Sequence, residues 1–173
     1  MISALVIPFP QVDRVVAPHR LRHDPSARAG VPAHVTVHYP WLPTETVDAS
    51  TLSDVRALAA TTKPFIVTFA EFRWFGSSTL WLAPSPDQSL RYLSERSAAL
   101  WPEFPLYGGQ FDEVVPHLTV GDLTNGGDEA ALRQVEGDLV DILPLRTQAS
   151  ELWWMAKDQG GQWTRQLTLT LGT

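Results

Sequence analysis

The 173-residue chain contains no cysteine. That excludes disulfides, thiolate nucleophiles and cysteine metal ligands, and it makes a reducing compartment, the cytoplasm, the expected location. Charge is also sparse. Only 18% of residues are Asp, Glu, Lys or Arg, and 13 basic residues face 19 acidic ones, a formal net charge of −6. A protein that grips long nucleic acid by neutralising phosphates needs a basic face, so no such partner is expected. The basic residues are scattered. Their densest cluster is Arg20, Arg22 and Arg28; the first two lie in a helix-like stretch, HRLRHD, whose His19 and His23 are expected to be solvated, and Arg28 in the loop DPSARAGVP that follows. No apolar run approaches the ~20 residues of a membrane-spanning helix. The opening MISALVIPFPQ is apolar but short and has no basic flank, so it reads as a first strand rather than a signal peptide, and no membrane partner is expected. No segment is of low complexity.

What is present is an ordinary globular composition, 44% hydrophobic. The length suits one domain over residues 1–173, able to bury about 70% of its unfolded surface. Along the chain, residues 3–9 and 33–41 read as strands, and 11–23 as a helix with Pro18 obscuring its boundary. Leu52, Val55, Leu58 and Ala59 recur at helical spacing over 50–61. Two strands at 64–75 and 78–84 flank a turn at Gly76 and Ser77, and Leu90, Leu93, Leu100 and Trp101 mark a helix over 86–101. A loop rich in Pro and Gly leads to a short strand, HLTVGDL, then to a helix bearing Leu132, Val135 and Leu139. The end, RTQASELWWMAKD and QWTRQLTLTLG around a QGGQ turn, is strand-rich. Hairpins beside helices predict an α+β domain with mainly antiparallel sheet.

One strand raises a chemical question. In AHVTVHYP, residues 33–40, His34, Thr36 and His38 alternate with Val35, Val37 and Tyr39 and so should share one face. Residues 117–120 repeat the pattern: HLTV follows VVP as HVTV follows VPA, 83 positions later. Two such strands facing each other surround a small volume with two imidazoles and two hydroxyls. Phosphodiester cleavage needs one proton removed from the attacking oxygen and another delivered to the departing one. Imidazole suits both tasks because its pKa lies near neutrality. Threonine hydroxyls donate to the non-bridging oxygens where charge accumulates. A single His-x-Thr is close to noise; paired copies using two of only five histidines are not. His38 has Gly121 at its counterpart position and reads as a rim or packing residue rather than a catalyst. A metal held by His34, His38 and His117 has no acidic ligand or HxxxH helix to support it, so no metal is expected.

These motifs, with the surrounding GVPAHVTVHYPWLP, LWLAPSP and FPLYGGQFDEVVPHLTVG segments, resemble the 2H phosphoesterase superfamily, specifically its 2'-5' RNA ligase family. The resemblance covers most of the chain. It implies a bilobal α+β fold: two pseudo-symmetric, intertwined lobes of antiparallel sheet with outer helices, and an active-site cleft between them. It implies His34 and His117 as catalytic residues, Thr36 and Thr119 as phosphate-binding residues, and no cofactor. The implied chemistry is hydrolysis of 2',3'-cyclic nucleotides or RNA ends, with reversible 2'-5' ligation through the same transition state.

The acidic balance favours a small nucleotide or short RNA as substrate, bound by a monomer. Phe9, His38, Trp41, Tyr107 and Phe111 are candidates to stack a base or form the rim of the site. The alternative class is a nucleotide-binding or sensing module without turnover, for which two titrating groups would be unnecessary. A small substrate touches few basic groups, so log affinity should fall only weakly with log salt. A filter-binding series in increasing KCl checks this; steep salt dependence with long RNA would reverse the reading of the partner.

Overall fold

The expected strands divide between two sheets, and the chain enters the first sheet twice. The computed structural model describes residues 1–111, 113–124 and 126–173. From the N-terminus come β1 (Ser3–Pro8), α1 (Pro10–His23), a single turn α2 (Pro25–Arg28), β2 (His34–Trp41) and α3 (Ala49–Ala60). Then follow β3 (Phe65–Phe75), β4 (Thr79–Ser85), α4 (Gln88–Leu100), β5 (Leu118–Asp122) and α5 (Glu129–Leu139). The chain closes with β6 (Leu145–Ala149), β7 (Glu151–Lys157) and β8 (Trp163–Thr170). The first sheet has the order β2-β1-β7-β8 and the second β5-β4-β3-β6, with every pairing antiparallel. This is the expected two-lobed α+β architecture.

The helices start where the sequence supplies caps. Pro10 occupies the first turn of α1, where its missing N–H costs nothing. Asp24, Asp48 and Asp128 accept backbone N–H bonds at the starts of α2, α3 and α5. Pro18 does not end α1; it lies on the exposed side, and the helix continues to His23. At the C-terminal end, RTQASELWWMAKD is not one strand. It breaks at Ser150, β6 completing the second sheet and β7 crossing to the first.

The two motif strands are both edge strands, β2 of the first sheet and β5 of the second, and they approach each other. Their outer edges are covered by helices from the opposite lobe: α1 lies along β5 and α4 along β2. Covering an edge in this way removes a row of unpaired backbone groups from solvent. One hydrophobic core runs beneath both sheets, from Leu5, Ile7 and Val35 through Phe69 and Leu82 to Leu118 and Val120.

Each motif strand carries a β-bulge at the same place. Thr36 pairs with Val6 and His38 with Leu5, leaving Val37 as the extra residue. Likewise Thr119 pairs with Trp81 and Gly121 with Leu80, leaving Val120 extra. A bulge re-aims the side chains beyond it. His38 and Gly121 therefore turn toward the core side with Leu5 and Leu80, away from the face of the preceding Thr. At Gly121 the helices come very close: a Cβ there would lie 2.3 Å from Leu132 Cδ1 and 3.1 Å from His23 Cβ. Gly121→Ala should cost about 1–3 kcal/mol by overpacking. Pairing it with Leu132→Ala, which vacates the contact, should give a loss smaller than the sum of the single losses, measured by urea denaturation.

Candidate active site

Both motif strands alternate as their burial requires. Val35, Val37, Leu118 and Val120 are buried, while His34, Thr36, His117 and Thr119 are half-exposed. Those four polar side chains line one cavity of about 390 Å³ between the sheets. His34 and His117 are oriented alike. The Nδ1 of His34 donates to the carbonyl of Pro32 at 2.8 Å, and that of His117 to the carbonyl of Val115 at 2.7 Å. A carbonyl only accepts, so each ring carries its proton on Nδ1 and keeps an Nε2 lone pair when neutral. Each histidine is thereby poised to take up a proton at Nε2, or, once charged, to give one.

The chain segments leading into both histidines are anchored from neighbouring helices. From α1, the buried Arg20 donates to the Val31 carbonyl (3.1 Å), the Asp24 carboxylate (2.7 Å) and the Thr119 carbonyl (3.0 Å). Asp13, on the same helix, accepts the Ala33 N–H at 2.7 Å. From α4, Arg91 donates to the Val114 carbonyl at 3.2 Å and pairs with Asp87 and Glu113. The ring of His117 is further wedged edge-on against Phe75 and Trp81, with centroids 5.0 and 5.9 Å away.

The electrostatics favour neutral imidazoles. Burial and then the Arg20 guanidinium push His34 down to about 4, against a smaller opposing effect of its Pro32 bond. Burial lowers His117 as well. Tyr107 has its phenol pushed up by burial, opposed by a hydrogen bond with Thr36, so its hydroxyl is protonated at neutral pH. It holds a left-handed backbone, φ 51°, in the Leu106–Gly109 turn. Such a conformation in a non-glycine residue persists only where surroundings impose it.

A second cavity of about 410 Å³ continues from the first, sharing Tyr107, His117, Thr119 and Asp122 and adding Phe75, Thr79 and Phe111. Tyr107 and Phe111 therefore lie where a base could stack, with ring centroids 5.7 Å apart. The other three candidates do not. Phe9 is fully buried edge-on against Phe69, and Trp41 is packed between Trp101 and Trp154 in the core. His38 is turned inward by the β2 bulge; its Nε2 donates to the Phe104 carbonyl and its Nδ1 accepts from Ser97, both at 2.6 Å. It is a neutral packing residue that ties β2 to α4, and it reaches neither the cavity nor a metal site with His34 and His117. Arg20, which the sequence marked only as part of the densest basic cluster, is 1% exposed. Its i,i+4 spacing to Asp24 was the available signal.

The two lobes thus present paired His-x-Thr strands to one cleft. The model of the 2'-5' RNA ligase superfamily matches residues 8–161, and the chain belongs to that superfamily of phosphoesterases and RNA ligases. It is 24% identical over 177 residues to a Bacillus pumilus (strain SAFR-032) protein named, by inference, a phosphoesterase, covering 98% of this chain and 96% of that one. The fold is similar to the crystal structure of E. coli LigT complexed with 3'-AMP, with TM-score 0.61, 20% identity, and 99% and 98% of the two chains covered. It is equally similar to TT0787 of Thermus thermophilus, with TM-score 0.61, 15% identity and the same coverage. E. coli LigT has also been crystallised with NADP+; that structure gives a TM-score of 0.56 at 20% identity, again covering 99% and 98%.

The lowered histidines make stability depend on pH. Their unfolded value lies near 6.5. For His34, between about 6.5 and 4 the unfolded chain binds more protons than the folded one, and the lowered His117 acts in the same direction, so the stability they contribute is complete above about 6.5 and falls on acidification. Each such group contributes a slope of at most about 1.4 kcal/mol per pH unit. Denaturation at successive pH values should show this decline, and His34→Gln should flatten it; in NMR titration His34 should have its midpoint near 4.

Proposed function

We propose that this protein is a metal-independent phosphodiesterase acting on 2',3'-cyclic nucleotides or RNA ends, with His34 and His117 as the acid–base pair. The observation that carries the reading is the shared orientation of the two rings. Both Nδ1 atoms are occupied by backbone carbonyls, which leaves both Nε2 atoms for chemistry in one cavity.

In hydrolysis, one Nε2 accepts a proton from water as the water oxygen bonds to phosphorus. The bond from phosphorus to one ribose oxygen breaks, and the protonated Nε2 of the other histidine supplies that oxygen with its proton. The pair ends with its charge exchanged and resets through solvent. The same step with a ribose 5'-hydroxyl in place of water, the bond from phosphorus to O3' breaking and O3' taking the proton, gives 2'-5' ligation. Thr36 and Thr119 hydrogen-bond the non-bridging oxygens, where negative charge grows in the transition state. An arriving phosphodiester anion also raises both lowered imidazoles, so binding itself favours charging one of them. The base stacks in the apolar arm on Tyr107 and Phe111. The 3'-AMP and NADP+ bound by E. coli LigT support a small nucleotide as the substrate class. We place this reaction in RNA processing in the cytoplasm, carried out by a monomer.

His34→Ala and His117→Ala should each lower turnover of a 2',3'-cyclic nucleotide by roughly 10²–10⁴-fold with little change in Tm. Thr36→Val and Thr119→Val should each lose about ten- to a hundredfold in kcat/KM, from ~1–3 kcal/mol of unpaired phosphate oxygen, and keep the bell-shaped pH profile. EDTA should have no effect. Steady-state kinetics on a panel of cyclic nucleotides and RNA ends measures all of these. Binding without turnover across that panel would identify a sensing module instead.

A further inference from the structure

The acid–base pair and the apolar arm beyond His117 account for only part of the cleft. From the shared residues Tyr107, His117 and Thr119 the first cavity extends the other way, over one face of the first sheet. Its floor is Ala4, Val6 and Met155, a small apolar cluster packed against Tyr39 and Trp163. The rings of Tyr39 and Trp163 stand 6.2 Å apart at 58° and both line the cavity. Beside them is Lys157, half-buried on the last residue of β7.

Lys157 is the single lysine or arginine among the described residues lining this cavity. It has no ion-pair partner among the described residues. The acidic groups facing the same space are already engaged. Asp24 is paired with Arg20, and Asp122 accepts the Thr124 N–H. An uncommitted ammonium in a cleft favours an anion, and as a compact point charge it suits a phosphate approached from any direction. The apolar floor and the two aromatic walls supply surfaces against which a sugar and base can pack and stack.

We infer that this arm is a subsite for a second nucleotide, its base against Tyr39 and Trp163 and its phosphate on Lys157. The inference rests on the reading of the cleft as a nucleotide phosphodiesterase site, and it names the preferred substrate: an oligonucleotide end of at least two residues rather than a free mononucleotide. The reacting phosphate lies at the junction of the arms, the terminal base in the arm beyond His117, and the preceding nucleotide over the first sheet.

The experiment compares kcat/KM for a nucleoside 2',3'-cyclic phosphate with that for a dinucleotide ending in the same cyclic phosphate. The dinucleotide should be preferred at least tenfold, and Lys157→Ala and Trp163→Ala should each reduce that ratio severalfold. Calorimetry with the corresponding 3'-phosphate mono- and dinucleotides, which do not turn over, gives an independent readout. The dinucleotide should bind about tenfold more tightly, with the advantage lost in Lys157→Ala and the salt slope reduced by about one contact. Turnover of both substrates at equal kcat/KM, or a preference untouched by either substitution, overturns the subsite and leaves the phosphodiesterase reading standing. Lys157-dependent binding of the dinucleotide without turnover of any cyclic end supports the subsite and overturns the catalytic reading instead.

Discussion

The buried guanidinium of Arg20 is the constraint on which the site depends. It is one of the few charges in the interior, and its fork joins four chain segments: α1 itself, the turn at Asp24 and Ser26, the Val31 carbonyl ahead of β2, and the Thr119 carbonyl within β5. The cost of burying a charge is met only if its donors are satisfied, and here the acceptors come from both lobes. The same group therefore fixes the approach of the two motif strands and places a positive charge beside His34. Structure and electrostatics are coupled through one side chain: whatever moves Arg20 shifts both the spacing of the histidines and the basicity of one of them.

The two halves of the cleft are built by the same means and finished differently. Each histidine follows a short extended segment, points its Nδ1 back at a carbonyl two residues upstream, and precedes a strand bulged just beyond its threonine. The residue after each bulge faces a helix from the opposite lobe. In β2 that residue is His38, large enough to bridge to Ser97 and Phe104; in β5 it is Gly121, because His23 and Leu132 leave no room for a side chain. The asymmetry continues into the cleft. Beyond His117 the walls are mostly aromatic and apolar, whereas the arm over the first sheet ends in a lysine. A symmetric pair of histidines thus stands between two unlike surfaces.

Neutral imidazoles follow from the same geometry. Burial penalises the charged form of both, and Arg20 adds to this at His34.

The sequence by itself determined the α+β class, the hairpins, and the pairing of His34 with Thr36 and of His117 with Thr119. These follow from period-two alternation and repetition within short segments, which are local properties of the chain. Only the tertiary structure decided the rest. Strict alternation put His38 on the face of His34, but a bulge is set by cross-strand pairing and turned it into the core. The structural role of Arg20 was not legible, because nothing local reveals that β5 will lie against that face of α1. Phe9 and Trp41 differ from Tyr107 and Phe111 only in what packs over them, and aromatic character alone carries no record of that. The break at Ser150, which sends β6 and β7 to different sheets, leaves an unbroken strand-like pattern in sequence. Contacts between residues distant along the chain fix all of these, and the chain's local pattern is blind to them.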